Sequence, residues 1–141
     1  MIQRIQTIWL FLAALAAFLM TTLPLYSGSA EGLEDKKFYA TENLLIFAII
    51  VIAGLLGLIA IFLFKNRPMQ QKLVNFGMLA SVVLIGLEVW QISAFNEANP
   101  MLKGTYSYGA LLPIAMLIFF ILASANIKKD EKLIKSLNRL R

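Results

Sequence analysis

Cysteine and histidine are both absent from the 141 residues. Their absence excludes disulfides, thiolate and imidazole metal sites, cysteine nucleophiles, histidine haem ligands and histidine general bases together. Charge is scarce as well: Asp, Glu, Lys and Arg make up 15% of the chain, against 60% hydrophobic residues. A soluble domain of this length cannot hide so much apolar surface, so the composition belongs to the membrane class. The chain also lacks a Gly-rich phosphate loop, a pair of acids at fixed spacing and a Ser-centred nucleophile motif, the usual signatures of enzyme chemistry. No catalytic residue, cofactor site or metal site is expected.

What the chain does have is four long apolar runs, at about 5–26, 43–64, 73–95 and 107–127. Each is close to the roughly 20 residues that cross a bilayer core about 30 Å thick. The predicted fold is therefore all-α: a bundle of four transmembrane helices over residues 1–127, followed by a short basic amphipathic helix over 128–141. The first run has a competing reading as a signal peptide, with Arg4 as its charged start and Gly28-Ser29-Ala30 as a cleavage point. Its apolar segment is longer than the roughly 7–15 residues of a signal core, which favours a retained helix.

The opening, Met1-Ile2-Gln3-Arg4-Ile5-Gln6-Thr7-Ile8-Trp9-Leu10, resembles the start of an uncharacterised family of short four-helix inner-membrane proteins of Bacteroidetes. The resemblance implies an inner-membrane protein of unknown function and brings no catalytic or binding residues with it. Ile2, Ile5, Ile8 and Trp9 fall on one helical face, with Gln3, Gln6 and Thr7 elsewhere. The first helix then either starts amphipathic at the membrane surface or is simply anchored at the interface by Trp9 and Arg4, and the anchoring is the favoured reading.

The formal charge of +5 becomes informative once the charges are placed along the chain. Arg4, the turn at 65–72 and the tail from Lys128 hold ten of the thirteen Lys and Arg, whereas the two opposite loops hold Lys36, Lys37 and Lys103. That asymmetry places both termini in the cytoplasm of a bacterial inner membrane, in agreement with an even number of spans. The segments 27–41 and 96–106 are read as polar loops on the other side, Thr41 as the N-cap of the second helix, and Pro113 as a kink inside the fourth. In the tail, Lys128, Lys129, Lys132, Lys135, Arg139 and Arg141 accompany Leu133, Ile134, Leu137 and Leu140 at helical spacing. They are candidate contacts to the anionic leaflet or to a protein partner. Nucleic acid is not an expected partner, because no aromatic stacking residue accompanies this charge.

Glu88 is the acid inside the third run. At membrane depth it costs on the order of a few kcal/mol, so it should turn inward and find a partner or a proton. Ser81 and Gly77 share its face, and Gln91 is three residues away, within reach of a shared hydrogen-bonding neighbourhood. Ala53 and Gly57 form a small-xxx-small pair for close helix packing, as Gly77 does on the third helix. Three functions are compatible with these residues. The first is a non-catalytic accessory subunit of a larger membrane complex serving transport, secretion or respiration, with lipid around it and a second copy as a further candidate partner. The second is a small proton-coupled transporter using Glu88; its outline resembles the small multidrug transporters, whose acid lies in the first helix rather than the third. A membrane enzyme ranks last.

Overall fold

The computed structural model describes residues 2–140, and within them the side chains of Ile2, Gln3, Arg4 and Leu33 lie outside the description. Met1, Arg141 and the proposed Arg4 anchor therefore lie outside the described residues. Among the described residues the chain forms four α-helices: α1 (Ile2–Met20), α2 (Leu44–Phe62), α3 (Arg67–Ala98) and α4 (Leu112–Arg139). α1 packs on α2 and α4, and α3 packs on the same two, so the helices close a four-sided ring. Three of them, α2, α3 and the helical stretch containing α4, are long and apolar enough to cross a membrane, and α1 carries a shorter apolar stretch, Ile5–Met20.

Each helix turns one stripe inward at three- and four-residue steps, the spacing that returns to one helical face. On α3 the stripe is Gln70, Val74, Gly77, Ser81, Leu84, Glu88 and Ile92. On α1 it includes Gln6, Leu10, Ala13, Ala17 and Met20. The outward residues are as apolar as the inward ones: Phe11, Ile52, Phe76, Leu79, Val83 and Ile118 are all exposed. Such an arrangement suits a hydrocarbon solvent, in which the outside must be apolar and the scarce polar groups gather inside.

The same inversion holds at the start of α1. Ile5 and Ile8 face outward, 47% and 53% exposed, while Gln6 is 5% exposed and points into the bundle. The first helix also stops at Met20 rather than near Tyr26, where the hydroxyls of Thr21 and Thr22 donate to the carbonyls of Phe18 and Leu19.

The two segments read as loops instead build a three-stranded antiparallel sheet, so the fold is mostly helical but not all-α. β1 (Pro24–Ala30) lies between β2 (Leu33–Tyr39) and β3 (Lys103–Tyr106). The β1–β2 hairpin reverses at Glu31-Gly32, where Gly32 takes a φ of 84°, a left-handed conformation that glycine adopts without a Cβ penalty. Pairing of Gly28 with Gly104 brings β1 and β3 together. The ring and hydroxyl of Tyr26 occupy the place that a Cβ on Gly104 would take. Tyr26 then meets Phe95 of α3 and Tyr106 edge-on, at centroid distances of 5.8 and 5.5 Å. Phe38 of β2 lies 6.2 Å from Phe95 on the same cluster, which seats the sheet on the end of α3.

Other local expectations shift in the same way. Asn43, not Thr41, caps α2, its side chain accepting from the amides of Leu45 and Ile46. Pro113 sits in the first turn of α4, where its missing amide costs nothing, so it starts the helix rather than kinking it. Residues 128–139 continue α4 without a break.

Candidate functional site

The interior polar groups fall into two levels. At the end opposite the sheet, called here the turn end, all four helices contribute. The Gln6 side-chain amide of α1 donates to the Asp130 carboxylate of α4, and both are buried. Gln70 of α3, 2% exposed, donates to the backbone carbonyl of Ala60 on α2 at 2.9 Å. Gln71 donates to Ser124 on α4 at 2.6 Å and to Asn75 at 2.9 Å. Oδ1 of Asp130, Oε1 of Gln70 and of Gln71, and one guanidinium nitrogen of Arg67 are buried there without a hydrogen-bond partner among the described residues.

Sequence reasoning missed this level. Gln6, Gln70 and Asp130 lack any motif, but each continues the phase of its helix's inward stripe. On α4 that stripe runs Pro113, Met116, Phe120, Ala123, Ile127, Asp130. An acid that keeps the phase of an apolar stripe into a mostly basic tail was the signal available.

The second level lies toward the sheet. Glu88 is 18 residues from Gln70 on α3, about 27 Å along the axis. It is 3% exposed, and its Oε1 has no hydrogen-bond partner among the described residues. The neighbours expected to serve it are engaged elsewhere. The Ser81 hydroxyl donates to its own helix at the Gly77 carbonyl, 2.9 Å away. Gln91 accepts from the Asn43 side chain at 3.1 Å. Because Asn43 caps the sheet-end start of α2, Glu88 lies one turn of α3 inside a polar bond near the end of the bundle. It is a carboxyl able to give or take a proton, held in an interior where no described cation pairs with it.

The small residues serve packing between helices of this chain. A Cβ on Gly57 would stand 3.3 Å from the Leu10 carbonyl oxygen and 3.4 Å from the Ala14 Cβ, both on α1. Ala53 is fully buried on the same face of α2. A Cβ on Gly77 would fall 2.6 Å from the Phe120 ring of α4. Lys128, Lys129, Lys132, Lys135 and Arg139 are all exposed along the far end of α4, with Lys135 paired to Glu131 at 2.8 Å. Among the described residues no group of three or more acids gathers as a metal site.

Residues 2–140 match the family described as a domain of unknown function, DUF4293. The chain belongs to the DUF4293 family. No curated protein and no solved structure matches it. The match spans nearly the whole chain, so this DUF4293 domain comprises the bundle, the sheet and the basic end of α4 together.

Proposed function

We propose that this DUF4293 protein is a four-span protein of the bacterial inner membrane, of Bacteroidetes type, with both termini in the cytoplasm. In this reading it serves as a non-catalytic accessory subunit of a larger membrane complex. The observation that carries the reading is how the polar and apolar groups are divided. Gln6, Gln70, Gln71 and Asp130 are used in bonds from helix to helix, while all four helices present large apolar side chains outward. A body built this way stands in lipid and offers its sides to other helices. The basic stretch 65–72, which runs from the α2–α3 connection into the first turns of α3, and the basic end of α4 lie at one end, and the sheet lies at the other, which supports the orientation by the positive-inside tendency. Extraction in a mild detergent is expected to recover the protein with a larger partner at fixed stoichiometry. A single monodisperse species, with no partner under several mild detergents, overturns the accessory reading.

One observation favours a second reading, proton-coupled transport: the buried Glu88 carboxyl with an unpartnered oxygen. In proteoliposomes Glu88→Gln should then abolish proton-coupled uptake of a cationic substrate. Uptake equal to wild type in that variant removes Glu88 from any such role.

A further inference from the structure

A groove of about 410 Å³ runs between α2 and α3 on the outside of the bundle, lined by Ile49, Ile52, Leu56, Phe76, Leu79 and Val83 among others, with no polar lining. The residues that bind α2 to the other helices, Ala53, Gly54 and Gly57, are buried and turned away from it. On α3 its wall is a stripe of exposed residues, Phe76, Leu79 and Val83, and the same stripe continues one turn toward the turn end as Lys72, also exposed. From Lys72 to Val83 is eleven residues, about 16 Å of helical rise. That equals one leaflet of a bilayer core about 30 Å thick.

The charge at the mouth is of one sign. Lys65 and Lys72 stand within the eight residues from 65 to 72, which hold no acid, while Arg67 buries one guanidinium nitrogen in the polar level inside the bundle. Lys65 leans over the Phe64 ring, 5.9 Å from its centroid, as an exposed cation at the end of α2. α3 starts at Arg67, so the positive end of its dipole faces the same region.

We propose that this groove is a binding site for one anionic glycerophospholipid, with an acyl chain along Phe76, Leu79 and Val83 and its phosphate held by Lys72 and Lys65. The chemistry of the two parts selects the occupant. A partner helix would match the apolar walls but leave the cations unanswered, and a zwitterionic lipid would answer them only in part. Neutralising the two lysines favours an anionic headgroup by attraction at the membrane surface. The site rests on the membrane reading above, though not on the accessory role.

The test is native mass spectrometry of the full-length protein released from bilayers of phosphatidylglycerol and phosphatidylcholine in equal amounts. The wild type is expected to retain one phosphatidylglycerol in preference to phosphatidylcholine. Lys65→Ala with Lys72→Ala should weaken that retention by roughly fivefold per lysine removed, while Lys37→Ala with Lys103→Ala, both exposed at the sheet end, should leave it unchanged. Leu79→Trp, or Val83→Phe where that variant folds poorly, should reduce retention of both lipids at unchanged helicity. Equal retention of the two lipids by the wild type overturns the proposal, as does unchanged retention in the Lys65/Lys72 variant. So does a wild-type dimer that Leu79→Trp converts to monomer, since a second copy then fills the groove. Flotation with liposomes separates the two levels. A protein that does not float contradicts the membrane reading, whereas one that floats without lipid preference contradicts only the site.

Discussion

Gly77→Ala tests the packing of α3 on α4 at its closest approach. The added methyl would stand 2.6 Å from Cε1 and Cζ of Phe120, less than any ordinary carbon contact allows. Phe120 is 1% exposed in the core, so its ring has no open side to swing into. Over-packing of this kind costs about 1–3 kcal/mol, and removing a helical glycine returns about 0.5–1 kcal/mol. The net expectation is a loss of about 1 kcal/mol, and at most about 2.5 kcal/mol, read as a lower midpoint in SDS unfolding followed by circular dichroism in mixed micelles. Three other glycines calibrate it. Gly86 has nothing within 4 Å of where the methyl would stand and should gain from alanine, whereas Gly54 and Gly57, at 3.3 Å, should fall between. Phe120→Leu in the Gly77→Ala background should cost less than the two single changes added, because it removes the ring atoms that the new methyl meets. A Gly77→Ala protein as stable as wild type, or a Gly86→Ala protein equally damaged, refutes the reasoning.

Gln6→Leu leaves the buried Asp130 carboxylate without its donor and should cost about 1–3 kcal/mol in the same unfolding assay. The double variant with Asp130→Leu should recover most of that, and failure to recover shows that Asp130 has another essential partner. Glu88→Leu removes a buried carboxyl whose Oε1 is unpartnered and should stabilise the fold by about 1–3 kcal/mol. A destabilised Glu88→Leu protein shows instead that the carboxyl holds the bundle together.

How much of this was legible in the residues differs from element to element. The apolar bodies of α2, α3 and α4 followed from long apolar runs, but α3 begins at Arg67, inside the segment 65–72 read as a turn, with Asn66 as its cap and Pro68 in its first turn. The sheet was not legible. Tyr26 pairs with Tyr106, eighty positions away, and what makes 24–30 a strand is the partner laid beside it. Within 27–41 the glycine, serine and charge looked like an ordinary loop. The pairing of β1 with β2 and with β3, and the seat that Gly104 leaves for Tyr26, distinguish the segment from one.

The polar interior divides along the same line. Phase alone placed Ser81 and Glu88 on one face of α3, since a helix repeats every 3.6 residues whatever surrounds it. Which hydrogen bonds those groups make was decided between helices. Gln91 turned to Asn43 on α2, Ser81 turned back to its own carbonyl, and Gln6 found Asp130 across 124 residues of chain. Four long helical runs and an uneven distribution of basic charge were written into the chain before it folded, because length, hydropathy and charge are properties of one segment at a time. That Glu88 Oε1 stands without a hydrogen-bond partner among the described residues at one end, and that a four-helix polar level closes the other, came only with the fold, because a side chain's partner depends on what folding brings to its face.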